Sequence, residues 1–120
     1  MLVKTFGSAV YGVDAITITV EVSVEGGGQI NYFTVGLPDN AVKESLFRIG
    51  TAVKEAGFSM PHRRMVINLS PADIRKEGTA YDLTMALGVL AADKQIEAEE
   101  LSKYIHDKMN SIYRQKILVL

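Results

Sequence analysis

One stretch of this sequence, residues 65–92, constrains the fold more than any other, because it specifies a strand, a charged loop and a helix in succession. Residues Met65–Leu69 form a short and mostly apolar run, which favours a buried strand. Pro71 lacks an amide hydrogen and has a fixed backbone angle, so we predict that the strand ends there. Alternating charges then fill the loop from Asp73 to Gly78, and the glycine is its predicted hinge.

The residues after Gly78 return to an apolar pattern with helical spacing. Apolar side chains recur at intervals of three and four positions, which is typical of a helix with one buried face. We predict that Asp82 or Thr79 caps this helix. The inward-facing set that the spacing predicts is Leu83, Ala86, Leu87 and Leu90.

The N-terminal part of the chain favours β-structure. Apolar residues alternate with polar ones over 15–24, a period of two that places one face of a strand in the core. The glycine triplet 26–28 permits a reversal and residues 30–35 return, so we predict that these two strands form a hairpin. An earlier strand precedes them and is expected to break near Gly7 and Gly12.

Another helix is predicted between these strands and the central stretch. Asp39 or Asn40 supplies its cap, and Gly57 ends it in the left-handed conformation common at helix ends. Four apolar residues at helical spacing form its buried stripe: Val42, Leu46, Ile49 and Val53. A third helix is predicted from Ile96 onward, and the order of elements favours an α+β domain with one sheet.

Two motifs in this pattern carry a family resemblance. The run from Asn68 to Leu83, NLSPADIRKEGTAYDL, and the block from Phe33 to Ser45, FTVGLPDNAVKES, resemble the N-terminal domain of magnesium chelatase-like AAA+ ATPases of the YifB/ComM type. With the opening residues, the resemblance spans 1–104. It implies the ribosomal-protein-S-five-domain-two-like, or Lon-like, fold, in which one mixed sheet has helices packed on one face.

The resemblance also implies a domain limit. Residues 1–105 are expected to form the Lon-like domain, incomplete relative to the family, and residues 106–120 form a divergent C-terminal tail. Strands missing from the domain would leave a sheet edge or an apolar face bare. We therefore expect the chain to self-associate.

Composition places the chain among ordinary globular domains. Its 120 residues suffice for one domain, and 48% are hydrophobic and 22% charged. A net charge of −1 argues against a polyanion-binding tail, and the absence of cysteine excludes disulfides and thiolate metal sites. No apolar run approaches the roughly 20 residues of a membrane helix, and no secretory signal is apparent. We expect a cytoplasmic protein without a membrane partner.

Peptidase chemistry is the first activity that the Lon-like resemblance raises. In that family a serine lies two residues after the loop glycine and pairs with a lysine from a later segment. Here Ala80 occupies the serine's position, and a methyl group cannot attack a carbonyl. Thr79 lies one residue too early and is more typical of a helix cap. We predict no catalytic residue in this chain and no enzyme activity of its own, with a Ser(Thr)/Lys peptidase as the alternative.

Ligand-binding motifs are incomplete as well. Residues 7–12 have the glycine spacing of a nucleotide-binding loop, but Val13 and Asp14 follow where lysine and serine or threonine are required. His62 and His106 have no second ligand at metal-binding spacing. No cofactor or metal is therefore expected in this chain. The resemblance implies that ATP and magnesium bind only in an AAA+ domain outside it.

Two charged clusters are the candidate sites. A charged loop between a rigid strand and a rigid helix is well placed to present contacts. The functional loop that we expect comprises Arg75, Lys76, Glu77, Gly78 and Thr79. The candidate nucleic-acid contacts are His62, Arg63 and Arg64.

The implied function is a non-catalytic module of a parent ATPase, with a role in assembly, docking or DNA handling. DNA would be reached through the parent protein. A stand-alone nucleic-acid-binding module is a further alternative, although the basic residues have few aromatic neighbours in the sequence.

Overall fold

The fold is described from a computed structural model that covers residues 1–26, 28–78 and 81–97. These residues contain four strands and three helices. In chain order they are β1 (Leu2–Tyr11), β2 (Asp14–Glu25), β3 (Asn31–Val35), α1 (Asn40–Lys43), α2 (Ser45–Glu55), β4 (Arg64–Ser70) and α3 (Asp82–Ala92).

The four strands form one mixed sheet in the order β1-β2-β4-β3. β2 is antiparallel to both β1 and β4, whereas β3 runs parallel to β4. Parallel neighbours need a crossover, which α1 and α2 supply between β3 and β4. The predicted α+β class with one mixed sheet is confirmed.

The predicted hairpin between the strands on either side of the glycine triplet is wrong. β2 instead reverses onto β1 through the turn at Gly12, and β3 lies at the far edge of the sheet, beyond β4. The alternation along β2 identifies its buried face but not its neighbours, and a twelve-residue central strand has two of them. The predicted break near Gly7 is also wrong, because β1 continues through that residue to Tyr11.

The core lies on one face of the sheet, as the alternation in β2 predicts. Its inward residues on β2 and β4 meet in register, with Val20 opposite Leu69 and Val22 opposite Ile67, and all four are buried. Both longer helices pack on this face. Thr5 on β1 donates its hydroxyl hydrogen to the carbonyl of Thr84 on α3, at 3.0 Å.

The first predicted helix is divided in two. α1 and α2 meet at Glu44, and the predicted stripe is buried in the core at three of its four positions, with Leu46 partly buried. Asp39 caps α1 as predicted, accepting a hydrogen bond from the Val42 amide. Gly57 follows α2 with a φ of +89°, which confirms the predicted left-handed end.

The inward face of α3 follows the prediction only in part: Leu90 is buried, and Ala86 and Leu87 are partly buried against the core. Leu83 is 40% exposed, and the fully buried side chains include Thr84, Met85 and Val89. Helix α3 is apolar on nearly every side, so its spacing could not identify the buried face. Gly88 lies on the buried face, where an added Cβ would be only 2.9 Å from Val22 on β2.

The remaining expectations for this part of the chain lie outside the described residues. They concern the third helix after Glu97, the domain limit at 105, the tail 106–120, and Thr79 and Ala80; the predicted first residues of that helix, Ile96 and Glu97, are described and are not helical. Among the helices that the structure does describe, none has the length and hydropathy needed to span a membrane.

Candidate functional site

Two loops that are distant in sequence meet at the end of the sheet. Residues 37–39, which come after β3, run beside residues 75–78 in the loop after β4, and we call this pair of segments the loop junction. The Lys76 amide donates to the Leu37 carbonyl and the Asp39 amide donates to the Lys76 carbonyl, both at 2.9 Å. Pro38 and Lys76 therefore pair as a short parallel bridge.

The carboxylate of Asp39 joins the loop junction to the first helix. One oxygen accepts the Val42 amide of α1 at 2.8 Å, and the other accepts the Gly78 amide at 3.1 Å. The hydrogen bond from Val42 is the main reason that the pKa of Asp39 is lowered. The Gly78 amide and the nearby charge of Arg75 lower this pKa further, against the opposing effect of burial.

Lys76 is fully buried, which corrects the expectation that it belongs to an exposed contact surface. Its ammonium group donates to the carbonyl of Pro71 in the same loop. Burial lowers the pKa of Lys76, and the negative charge of Asp73 partly opposes this shift. The backbone bridge to Pro38 carries the lysine inward, a non-local effect that the charge pattern of the loop does not show.

Arg75 and Glu77, on either side of the buried lysine, remain at the surface. Their side chains are each 69% exposed and form an ion pair of 3.7 Å. Leu37, across the loop junction, is 52% exposed. The junction therefore presents two opposite charges and one apolar side chain on a backbone that is held by the bridge and by the buried Lys76.

Asp82 does not cap α3, the role predicted for it. The N-cap of α3 is Tyr81, which makes no side-chain capping bond. The Asp82 carboxylate instead receives two hydrogen bonds from Arg48 on α2, at 2.6 and 3.0 Å, and this pairing raises the pKa of Arg48. The arginine thus fastens α2 to α3.

The second predicted cluster lies at the opposite end of β4 from the loop junction. His62 and Arg63 are exposed, and Arg64 begins the strand. The Arg64 guanidinium forms a 3.4 Å ion pair with Glu25 and lies 5.7 Å from the ring centroid of Phe33. This aromatic neighbour is not apparent from the sequence, because only the pairing of β3 with β4 brings it close.

Residues 7–12, which have the glycine spacing of a nucleotide-binding loop, lie in β1 and in the turn that follows it. Gly7 to Tyr11 are part of β1, and an extended strand cannot wrap a phosphate as a nucleotide-binding loop does. No group of three or more metal-ligating side chains occurs among the residues that the structure describes.

Comparison with protein families gives a match over most of the chain. Residues 20–107 match the family described as subunit ChlI of Mg-chelatase, and this range contains both loops of the junction. The chain belongs to the ChlI family. Individual relatives agree with this assignment. Competence protein ComM of Haemophilus influenzae is 39% identical over 103 residues, and the uncharacterized protein YifB of Escherichia coli is 43% identical over 96 residues.

The matches cover most of this chain but only a small share of each relative. They include 86% and 80% of this ChlI-family chain, but only 20% of ComM and 19% of YifB. An uncharacterized protein of Mycobacterium tuberculosis H37Rv is 37% identical over 98 residues, again 19% of its length. The chain therefore spans about a fifth of the length of these relatives.

Proposed function

We propose that this chain is a non-catalytic docking and assembly module of a ComM- or YifB-like AAA+ ATPase. The observation that carries the proposal is the loop junction, where exposed Arg75 and Glu77 stand on a backbone fixed by the buried Lys76. Family membership, and relatives of whose length this chain covers only about a fifth, support a role as one part of a larger protein.

Rigidity is what suits the junction to docking. A loop that is ordered before it binds loses less conformational entropy on association than a mobile loop does. Three hydrogen bonds join this loop to residues 37–39: two backbone bonds along the bridge, and one from the Gly78 amide to the Asp39 carboxylate. The contact surface is accordingly Arg75, Glu77 and Leu37, with Lys76 as its internal support.

The chemistry is proposed to reside elsewhere in the parent protein. Ala80 has no nucleophilic atom, and the ATP, magnesium and DNA of such a parent would bind to its other regions. A Ser(Thr)/Lys peptidase is the competing hypothesis. It predicts that a serine-reactive fluorophosphonate labels the unmodified chain and that Thr79→Ala abolishes the labelling. The docking proposal predicts that neither the unmodified chain nor the Thr79→Ala variant is labelled.

A chimera tests the docking proposal. This chain replaces the matching 96-residue segment of Escherichia coli YifB, and assembly is followed by mass photometry. The charge swap Arg75→Glu/Glu77→Arg keeps an ion pair within the loop but reverses the pattern that a partner contacts. We expect it to weaken assembly at least about tenfold, or 1.4 kcal/mol. The matched control Lys54→Glu changes an exposed charge on α2 and should leave assembly unaltered.

Equal assembly by the charge-swapped and control chimeras would contradict the proposal. Circular dichroism of the isolated chain separates this outcome from misfolding, because both substituted side chains are exposed and the swap should not change the spectrum.

Single-stranded nucleic acid binding is a second candidate, favoured by the position of Arg64 over Phe33. Phe33 is 42% exposed, so a base could stack on its ring beside the guanidinium. Labelled single-stranded DNA titrated at several salt concentrations tests this. Binding that depends on salt and is weakened by Phe33→Ala would favour this candidate. The control is Phe47→Ala, a change to an exposed aromatic residue on α2, which should leave binding unaltered. An absence of salt-dependent binding would remove it.

A further inference from the structure

The free edge of β1 is long for an edge strand. β1 has ten residues, whereas β3 at the opposite edge has five. No segment among the described residues pairs with the outer side of β1. Exposed edges of this length present a row of backbone groups that can bind another strand.

The hydrogen-bonding pattern identifies which backbone groups are free. The Met1 amino group donates to the Val24 carbonyl at 2.7 Å, and the Val24 amide donates to the Met1 carbonyl at 3.2 Å. Such pairs alternate along antiparallel strands, and the register continues without a bulge from Leu2 opposite Ser23 to Tyr11 opposite Asp14. The odd-numbered residues of β1 therefore bond to β2, and the even-numbered residues point their N–H and C=O groups outward.

The side chains of this edge do little to discourage pairing. Natural edge strands are commonly protected by prolines, bulges or several charges. β1 contains no proline, and Lys4 is its one charged residue. Leu2 and Phe6 lie on the sheet face opposite the helices and are 55% and 48% exposed.

We propose that this edge pairs with β1 of a second copy of the chain, antiparallel and about a two-fold axis at Phe6. An antiparallel edge is complementary to itself, because each copy offers the donors and acceptors that the other needs. The two sheets join as one sheet of eight strands, four from each copy. Helices of both copies lie on the same face of it.

Charge and side-chain pairing favour one register. Outward groups meet only when even-numbered residues oppose even-numbered residues. The register that places Lys4 opposite Lys4 is disfavoured, because like charges directly across strands repel. The register centred on Phe6 places Lys4 opposite Ser8, pairs the two phenylalanines, and uses residues 2–10 of both strands.

Sedimentation of the full chain tests the interface. We expect the unmodified chain to form a dimer in the micromolar range. Phe6→Pro removes an outward N–H that makes no bond within the sheet, so it should leave the fold intact and weaken dimerisation at least tenfold. Phe6→Thr is the matched control, since it keeps the N–H and suits a strand. A chain that is monomeric throughout, or a Phe6→Pro dimer as tight as the unmodified one, would overturn the proposal.

Single cysteines test the register even if Phe6→Pro does not fold, because the chain has no cysteine of its own. Two Phe6→Cys chains would bring their α-carbons to about 5.5 Å, within disulfide range. Two Leu2→Cys chains would hold their sulfurs roughly 27 Å apart, eight residues at about 3.4 Å each. Oxidation should cross-link the first variant and not the second. Equal cross-linking of both, or of neither, would overturn the register and with it the proposal.

Discussion

Gly78 donates its amide hydrogen to the carboxylate of Asp39 at 3.1 Å, although the two residues are 39 positions apart in sequence. The other oxygen of the same carboxylate caps α1 through the Val42 amide. One side chain thus joins the GLPD turn after β3 to the RKEG loop after β4. The two motifs that carry the family resemblance are physically a single structure.

Asp39→Ala removes both hydrogen bonds at once. We expect it to lower the free energy of unfolding by about 2 kcal/mol, the upper end of the range for a lost helix cap. The measurement is urea denaturation followed by circular dichroism. Asp73→Ala is the control, an exposed acid in the neighbouring loop, which should change stability by less than about 0.5 kcal/mol. Equal effects of the two substitutions would show that the Asp39 contacts contribute nothing.

The contribution of Asp39 should also depend on pH. Its pKa is lower in the folded chain than the value of about 3.9 in an unfolded chain, so folding favours the ionised form. The resulting stabilisation is complete above the unfolded pKa and is lost as pH falls through the folded pKa. The stability difference between the unmodified chain and Asp39→Asn should therefore shrink below about pH 4. A difference that stays constant through this acid range would contradict the assignment.

Lys76 should behave as a buried support rather than as a surface charge. Lys76→Met keeps the length of the side chain, although it leaves the Pro71 carbonyl without its donor. We expect the free energy of unfolding to change by no more than about 1 kcal/mol. Lys76→Ala opens a cavity and should cost at least about 2 kcal/mol more than Lys76→Met. Thermal unfolding measures both. Similar small effects for the two variants would indicate that this side chain lies at the surface.

Alkaline pH offers an independent test of the same lysine. The pKa of Lys76 is lowered in the folded chain, so between that value and the unfolded pKa of about 10.4 the unfolded state binds more protons. Stability from this group therefore rises with pH across that window. Lys76→Met should lack the rise, while Lys54→Met, a change to an exposed lysine, should retain it. Parallel profiles for both variants would contradict burial of the amine.

Two glycines with similar backbone angles should respond very differently to substitution. Gly57 has a φ of +89° and open space around it, so Gly57→Ala should cost about 1–2 kcal/mol of backbone strain. Gly36 has a φ of +105°, and an added Cβ would lie 2.0 Å from the Leu69 carbonyl oxygen. Gly36→Ala should cost more than about 3 kcal/mol, because β3 and β4 must separate to accept it. Equal costs in urea denaturation would mean that the two strands are not in such close contact.

The local part of the fold follows from the sequence and the long-range part does not. β4, the Asp39 cap and the inward face of β2 each depend on neighbouring residues, and all three were predictable. The neighbours of β2 depend on which strands meet across the sheet. A period of two identifies the two faces of a strand but does not indicate which strands pair with it.

The candidate site shows the same division. The charged loop 75–78 was identified from its composition, but the burial of Lys76 was not, because charged side chains are usually exposed. Only the bridge to Pro38, a residue of the other motif, turns the lysine inward. Phe33 was missed beside Arg64 for an equivalent reason, since β3 and β4 are separated in sequence by two helices.

Amide hydrogen exchange at Gly78 tests most directly the claim that the loop junction is a fixed platform. In the unmodified chain we predict that this amide exchanges at least about a hundredfold more slowly than an unprotected one, which corresponds to opening that costs roughly 3 kcal/mol. In Asp39→Ala the protection of Gly78 should be lost while the amides of β4 keep theirs. Exchange of Gly78 at the unprotected rate in the unmodified chain would contradict the account.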